Sequence, residues 1–442
     1  MKALFNYFGI DGKEITVKKE VIGGVTTFLT MAYILFVNPS ILASTGMDEG
    51  ALFTVTAVAA IIGTLLAAFW GKVPFAMAPG MGLNAFFTYT LVIGQGIPWQ
   101  TALGIVFLSG LVFVGLTLMG VRQKIIDAIP VSLRIATSAG IGLFISFIGL
   151  QNMGLIQDNP VTLVQMGSFM TAEGAFNTPL LLSILGMLLI AILEYHKVTG
   201  SIFIGIIATT IAGIFTGDVS LPTAIVSAPP SIAPIAFKLD VLGALHLAFL
   251  APIFSFMFVD LFDSLGTIVA CSYEAKLVDK NGRIPRLGRI LEADSIATLI
   301  GSLLGTSTTT TYIESASGIS NGARTGFASV VTAALFGVAL LFSPLIGIVP
   351  AFATAPALVI VGVFMMKNIK MVDFDNLREA VPAFLTIVLM PLTYSISHGL
   401  TFGFLSYVII ALLTGNIKKV SVVMWIIGVL SAINLVISAG LV

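Results

Sequence analysis

Charged residues are scarce in this chain of 442 residues. They make up 10% of it, against roughly 25% in a soluble domain, which excludes an ordinary globular protein. Cysteine occurs once, at Cys271, so an internal disulfide is excluded and no zinc-ligand spacing exists. The 21 basic and 21 acidic residues cancel, which argues against nucleic acid as a partner. No cofactor and no metal are expected.

Hydrophobic residues form 57% of the chain and are gathered in segments long enough to cross a membrane. A helix needs about 20 residues to cross a hydrocarbon core of ~30 Å. We predict an all-α polytopic membrane protein of fourteen spans, numbered in chain order, with short strands in spans 3 and 10. The predicted spans are 21–45, 51–70, 73–94, 99–120, 130–152, 178–195, 198–217, 243–271, 290–305, 306–323, 326–344, 349–366, 381–397 and 399–415.

The basic residues predict how these spans are oriented. If the N-terminus is cytoplasmic, Lys238 is the only one of the 21 Lys and Arg residues expected on the opposite face. Cytoplasmic loops are enriched in Lys and Arg. The sequence therefore predicts a multi-pass protein of the cell membrane with a cytoplasmic N-terminus. The segment 421–442 is long enough for a further crossing, but it carries no charge to orient it, so its topology stays open.

Two pairs of similar segments relate the two halves of the chain. IIGTLLA at 61–67 resembles LIGSLLG at 299–305, and FIGIIATTIAGIFTG at 203–217 resembles TFGFLSYVIIALLTG at 401–415. These matches pair span 2 with span 9 and span 7 with span 14. They predict seven spans followed by seven of opposite orientation. Inverted repeats of this kind are a transporter architecture, with the substrate near the middle of the membrane.

Spans 3 and 10 contain residues that disfavour a continuous helix. VPFAMAPGMGLNAFFTYT at 73–90 has prolines and glycines in its first half, and GTSTTTTYIESASGISNG at 305–322 has four consecutive threonines. Proline and glycine weaken helices, and threonine favours extended backbone. We predict that each span begins as a short strand and ends as a half-helix. The two strands are expected to pair, because unpaired amide groups at membrane depth cost several kcal/mol each.

Most acidic residues lie in loops or near the ends of predicted spans, whereas Asp260, Asp263 and Glu314 fall well inside them. Asp260 and Asp263 are three residues apart and therefore share one face of span 8. Glu314 begins the half-helix of span 10, where the helix dipole favours a negative charge. Burying such a residue costs about 2.5 to 3.5 kcal/mol on insertion scales, so an intramembrane acid indicates a functional site. For Asp263, capping or cross-linking of helices is an equal alternative.

Two uncharged side chains complete the candidate site. Asn84, on the half-helix of span 3, is either a substrate contact or a hydrogen bond between helices, and Phe75 is a candidate stacking surface. The predicted substrate-binding residues are Asn84, Asp260, Glu314 and Phe75. Asp263 and Glu314 are the candidates for proton coupling or for support of the site.

Four segments resemble signature segments of the AzgA-like purine permeases, a branch of the nucleobase cation symporter-2 superfamily. They are VTTFLTMAYILFVNPSIL (25–42), APGMGLNAFF (78–87), FVDLFDSLGT (258–267) and TSTTTTYIESASGISNGARTG (306–326). The resemblance implies import of hypoxanthine, guanine and adenine together with protons, usually by a homodimer. It also implies binding roles for Asn84, Asp260, Asp263 and Glu314, and more loosely for Phe75.

The same resemblance implies a core domain of spans 1–4 and 8–11 and a gate domain of spans 5–7 and 12–14. The corresponding segments are a cytoplasmic N-terminal segment at 1–20, core at 21–124, gate at 125–240, core at 241–344, gate at 345–420, and a hydrophobic C-terminal segment at 421–442.

Other functions remain open at this point. An inorganic-anion transporter or exchanger is the main alternative, because a fold does not fix a function, although three site acids would repel an anion. A passive channel or a non-transporting membrane sensor is another. An enzyme is not expected, because the sequence has no nucleophile–base pair, phosphate-binding loop or metal cluster.

The uncharged purine base that the resemblance implies gains nothing from the membrane potential. Uphill uptake therefore requires a coupled cation, and a partly desolvated carboxylate can carry a proton.

Overall fold

The computed structural model of the protein describes residues 2–10, 12, 15–120, 125, 128–171, 174–222, 224–279, 284–417 and 420–438. Some basic residues used to predict the orientation lie outside the described residues, namely Lys13, Arg122, Lys124, Lys280, Arg283, Lys418 and Lys419. Positions 439–442 of the C-terminal segment lie outside them as well.

The first half of the described chain contains nine helices and three strands. They are α1 (Lys2–Phe8), α2 (Val17–Met31), α3 (Ile34–Ala43), α4 (Glu49–Leu66), β1 (Met77–Pro79), α5 (Met81–Ala85), α6 (Trp99–Leu118), α7 (Val131–Asn152), β2 (Ile156–Asn159), β3 (Leu163–Met166), α8 (Thr178–Tyr195) and α9 (Ser201–Thr216). Two π-helices, Ala67–Gly71 and Phe86–Gly94, extend α4 and α5.

The second half of the described chain contains ten helices and one strand. They are α10 (Val241–Ala244), α11 (Leu250–Glu274), α12 (Leu287–Leu304), β4 (Thr309–Thr311), α13 (Ser315–Ser320), α14 (Gly326–Ala339), α15 (Ser343–Ile346), α16 (Ala351–Met366), α17 (Leu377–Leu392), α18 (Ile396–Leu413) and α19 (Val422–Ser438). Short 3₁₀-helices at Leu247–Phe249, Leu340–Phe342 and Lys367–Met371 adjoin α11, α14 and α16.

Nine helical stretches among the described residues are at least 18 residues long and apolar enough to cross a membrane. They are Val17–Ala43, Glu49–Gly71, Trp99–Leu118, Val131–Asn152, Thr178–Tyr195, Leu250–Glu274, Gly326–Ile346, Ala351–Met371 and Ile396–Leu413. The prediction of a helical polytopic membrane protein is therefore confirmed. The other predicted spans correspond to shorter, more polar or interrupted elements, so the total of fourteen stays a prediction.

The first membrane segment begins earlier than predicted and bends. The Thr16 hydroxyl caps α2 by accepting from the Lys19 N–H at 3.3 Å, so the helix begins at Val17 rather than at residue 21. Within α2, the Thr30 hydroxyl donates to the carbonyls of Thr26 and Thr27 at 3.0 and 2.9 Å. Such back-bonding tends to bend helices, and a turn at residues 32–33 follows before α3.

Strands β1 and β4 form a two-stranded antiparallel ribbon, and both strands were predicted from the sequence. Met77 pairs with Thr311, Ala78 with Thr310 and Pro79 with Thr309. All of these residues are buried. Each strand leads into a half-helix, α5 after β1 and α13 after β4. The ribbon thus joins the two interrupted segments at the centre of the protein.

Helices α4 and α12 close the ribbon from its two sides. The Thr64 hydroxyl on α4 accepts from the Met77 N–H at 3.0 Å and donates to the Met77 carbonyl at 3.2 Å. Glycines permit the close approach: a Cβ at Gly63 would lie 2.9 Å from the Met77 Cβ, and a Cβ at Gly301 on α12 would lie 2.5 Å from the Thr309 hydroxyl. Gly63 and Gly301 occupy equivalent positions in IIGTLLA and LIGSLLG.

Two features lie apart from this centre. An exposed hairpin of β2 and β3 separates α7 from α8; the sequence analysis does not predict it, because its exposed strands have no alternating apolar pattern. Helix α19 packs along α18, where a Cβ at Gly428 would lie 2.9 Å from Val408. The C-terminal segment is therefore helical, and its topology stays open.

Candidate substrate site

Glu314 lies at the junction between strand β4 and half-helix α13. Its carboxylate accepts a hydrogen bond from the Tyr33 hydroxyl at 2.5 Å, and its backbone carbonyl accepts one from the Thr30 hydroxyl at 3.5 Å. Both donors belong to the bent first segment. The side chain is half-buried. The predicted position at the start of the half-helix is confirmed, and the bend in the first segment supplies the donor that orients the acid.

Asp260 lies on α11, only 1% exposed. Its carboxylate accepts from the hydroxyls of Thr298 at 3.2 Å and Ser264 at 3.4 Å. The Thr298 hydroxyl also lies 3.1 Å from the carbonyl of Thr309 in β4. One hydroxyl on α12 therefore connects the acid to the ribbon.

Asp263 lies one turn further along α11 and is half-buried. Its side chain lies beside that of Thr310 in β4, and the acids close enough for their charges to act on it are Asp294 and Glu314. The charges of Asp263 and Glu314 also act on Tyr33. Asp263 and Glu314 are thus electrostatic neighbours at the same end of the ribbon.

Asp294, on α12, was missed by the sequence analysis. It is fully buried, and its carboxylate accepts from the N–H of Thr311 at 3.1 Å and from the Thr311 hydroxyl at 3.2 Å. It lies near the beginning of predicted span 9, beside Arg289 and Glu292, where charged residues are typical of a span boundary. A signal was present, since Asp294 and Thr298 are four residues apart and so share one helix face.

The acids on α11 and α12 therefore interact with the three successive residues of β4, Asp294 with Thr311 and the other two as follows. Asp260 reaches Thr309 through a hydroxyl, and Asp263 contacts Thr310. The Thr298 hydroxyl and the Asp294 carboxylate are hydrogen-bonded to backbone groups of β4 that lipid could not satisfy. The carboxylates of Asp260, Asp263 and Asp294 also place negative charge around the strand that leads to Glu314. This arrangement can accept hydrogen bonds or take up protons.

Asn84 lies on half-helix α5 inside a buried polar network. Its amide nitrogen donates to the Asn38 side-chain oxygen at 2.5 Å, and its own oxygen accepts from the Ser307 hydroxyl. Asn38 in turn donates to the hydroxyls of Thr56 at 2.6 Å and Thr306 at 3.2 Å. These contacts match the alternative of hydrogen bonding between helices, and a role of Asn84 in substrate binding stays a prediction.

Phe75 precedes β1 and is completely buried. Its backbone carbonyl accepts from the Ser329 hydroxyl at 2.9 Å, and the next residue, Ala76, donates its N–H to the Ser315 hydroxyl at 3.0 Å. Ser315 follows Glu314 directly. The residue after Phe75 is thus hydrogen-bonded to the first residue of α13. The role of Phe75 as a stacking surface stays a prediction.

Buried acids beside two interrupted helices, in a polytopic helical fold, are typical of membrane transport proteins. The sequence profile of the Permease family matches residues 18–402, and the chain belongs to this family.

Relatives of known name support the resemblance to purine permeases. The guanine/hypoxanthine permease PbuG of Bacillus subtilis is 46% identical over 430 residues, which cover 95% of this chain and 96% of the relative. The adenine permease AdeP of Escherichia coli is 43% identical over 421 residues, which cover 95% of this chain and 93% of the relative. The predicted resemblance is confirmed.

Solved structures of low sequence identity share the fold. The transmembrane domain of the cyanobacterial bicarbonate transporter BicA superposes with a TM-score of 0.62 at 16% identity, covering 88% of this chain and 97% of that domain. SLC26A9 superposes with a TM-score of 0.63 at 9% identity, covering 90% of this chain and 66% of that protein.

Proposed function

We propose that the protein imports the purine nucleobases guanine, hypoxanthine and adenine across the cell membrane by proton symport. Relatives named as permeases for these bases are more than 40% identical over nearly the whole chain. The observation that carries the proposal is the group of acids at β4, with Glu314 oriented by Tyr33.

The chemistry of a purine base suits these side chains. The base is flat and uncharged at neutral pH, and it presents N–H groups along its edge. Glu314 and Asp260 accept hydrogen bonds from such groups, Asn84 both donates and accepts, and Phe75 offers an aromatic face. A site built this way rejects analogues that lack the polar edge, because buried partners would be left unpaired.

Coupling to protons follows from the charge of the cargo. A neutral base is not driven by the membrane potential, so accumulation depends on a second, charged species. We assign the proton to Asp263 or Glu314, whose charges act on each other at the ribbon. Protonation of one acid would lower the repulsion between them while the base is bound.

The architecture we propose is a 7+7 inverted repeat of fourteen spans with a cytoplasmic N-terminus, divided into the core and gate segments given above. The equivalent glycines Gly63 and Gly301, both of which pack against the ribbon, support the repeat. Alternating access would follow from movement of the core against the gate, and the protein would act as a homodimer.

Uptake of radiolabelled hypoxanthine by cells that lack their own purine permeases tests this function. We expect accumulation that unlabelled guanine and adenine compete with and that a protonophore abolishes. A Glu314→Ala protein at the same membrane level is the control for background uptake. Accumulation that survives the protonophore would exclude proton coupling, and equilibration without accumulation would indicate a passive channel.

Anion transport is the competing function, because the solved structures with this fold include a bicarbonate transporter and an anion transporter. The acids at β4 disfavour it, since they would repel an anion. Competition with labelled hypoxanthine by bicarbonate or sulfate, without competition by purines, would favour it.

A further inference from the structure

An apolar cleft lies between α11, α18 and α19, and none of the described residues that line it is acidic. Its volume is about 270 Å³. Phenylalanines form its floor, namely Phe254 and Phe258 from α11 and Phe404 from α18. The α19 side is formed by Leu430, Ser431 and Ile433.

The floor and the mouth of this cleft differ in exposure. Phe258 and Phe404 are 2% and 3% exposed, so the floor is inside the protein. Leu430 and Ile433 at the mouth are 40% and 49% exposed, and Leu250 of α11 is 58% exposed. Because α11 and α18 are long and apolar enough to cross the membrane, a mouth lined by such residues opens towards lipid rather than towards water.

The composition of the cleft decides what can fill it. Water needs two to four polar partners in a buried site, and few are available here: the Ser255 hydroxyl, for example, is already hydrogen-bonded to Ser397 at 2.9 Å. A purine base would leave its polar edge unpaired against phenylalanine. An empty space of this size forfeits dispersion contacts around its whole lining. A hydrocarbon chain needs no polar partners, has no polar edge to leave unpaired, and restores the dispersion contacts that an empty cleft would lose.

We propose that this cleft binds one acyl chain of a membrane phospholipid. The chain enters between Leu250 and Ile433 and lies against Phe258 and Phe404. These two rings are in edge-on contact at 5.8 Å across the α11–α18 boundary. Bound lipid is therefore in contact with the helix that carries Asp260. The binding does not depend on the identity of the transported substrate.

Tryptophan quenching by brominated lipid tests the proposal in the full-length protein. In a background with Trp70→Phe, Trp99→Phe and Trp425→Phe, single tryptophans are introduced as Phe404→Trp, Phe402→Trp or Phe256→Trp. Phe402, on the same helix and ~3 Å away along its axis, is 36% exposed and reports direct contact with lipid. Phe256, fully buried and packed on Phe86 at 4.7 Å, reports the protein interior. Each protein is reconstituted in vesicles of phosphatidylcholine with brominated acyl chains.

We expect the Phe404→Trp protein to be quenched at least half as strongly as the Phe402→Trp protein, although Phe404 is nearly as buried as Phe256. Filling the cleft with Ser431→Phe should reduce that quenching to the Phe256→Trp level; Ala251→Leu fills it from α11 if α19 does not tolerate the larger ring. Quenching of Phe404→Trp no greater than that of Phe256→Trp would overturn the proposal, and so would quenching that neither filled variant reduces.

Discussion

At the scale of single residues, two acids inside the protein differ in how many hydrogen-bond donors surround their carboxylates. Glu20 is fully buried and accepts from the N–H and hydroxyl of Thr325 and from the N–H of Ala328, at 2.8 to 3.2 Å. It caps the start of α14, where the helix leaves such N–H groups unpaired. Glu314 accepts from Tyr33 and is only half-buried. The first acid is already committed to the fold, whereas the second retains capacity for a ligand.

This contrast gives a prediction for Glu314→Gln and a matched control, Glu20→Gln. Loss of a charged acceptor is worth about 1.5 to 3 kcal/mol, so Glu314→Gln should raise the KM for hypoxanthine roughly ten- to a hundredfold at a normal membrane level. Glu20→Gln should lower the amount of folded protein and leave the KM unchanged. Uptake kinetics normalised to surface protein measure both. An unchanged KM in Glu314→Gln would remove Glu314 from the site.

Asp294 permits a test of what its carboxylate does. Asp294→Ala leaves the buried N–H of Thr311 without its acceptor, at a cost of about 1 to 3 kcal/mol. Asp294→Asn retains an oxygen that can accept the same bond. We expect the alanine variant to unfold at a clearly lower temperature than the asparagine variant in a fluorescence melting assay. Equal melting of the two variants would show that the charge, rather than the acceptor, stabilises the strand.

At the scale of elements, the sequence predicted the ribbon because its signals are local. Four consecutive threonines favour a strand, and Pro79 cannot continue a helix. The bend in the first segment escaped prediction, because the Thr30 hydroxyl donates to backbone carbonyls of the preceding turn just as those of Thr137 and Thr209 do in uninterrupted helices. The β2–β3 hairpin escaped because its strands are short and exposed on both faces.

The close approach of α4 to the ribbon predicts the effect of Gly63→Ala. The added Cβ would lie 2.9 Å from the Met77 Cβ. The position of that atom is fixed by the backbone of β1, so it cannot rotate away. Overpacking of this kind typically costs 1 to 3 kcal/mol, so we expect less folded protein and a lower melting temperature. Gly266→Ala is the matched control, because a Cβ at Gly266 on α11 meets nothing within 4 Å. Equal stability of the two variants would contradict the packing argument.

At the scale of the whole molecule, the two halves of the chain meet in contacts that no local pattern predicts. Asn84 is hydrogen-bonded to Ser307, and Tyr33 to Glu314, across more than 220 residues of sequence. Composition predicted a polytopic protein, and short motifs predicted the acids Asp260, Asp263 and Glu314. The partners of these acids depend on which helices become neighbours, and a single sequence does not contain that information.

Movement of the proposed core against the proposed gate can be tested where the two are hydrogen-bonded. The hydroxyls of Ser255 on α11 and Ser397 on α18 are 2.9 Å apart, so Ser255→Cys with Ser397→Cys should form a disulfide on oxidation. We expect oxidation to stop purine uptake and a reductant to restore it. Each single variant is the control and should be insensitive, because the native Cys271 is buried. Full uptake by the cross-linked protein would exclude relative movement at this boundary.

The pairing of β1 with β4 also constrains how the protein is made. The partner of Met77 is Thr311, which a ribosome adding about 5 to 20 residues per second reaches roughly 10 to 50 s later. During that interval the edge of β1 has no strand beside it, and bare amides do not persist in lipid. We therefore expect the newly made first half to keep β1 in contact with water or with protein, rather than with lipid, until the second half is made.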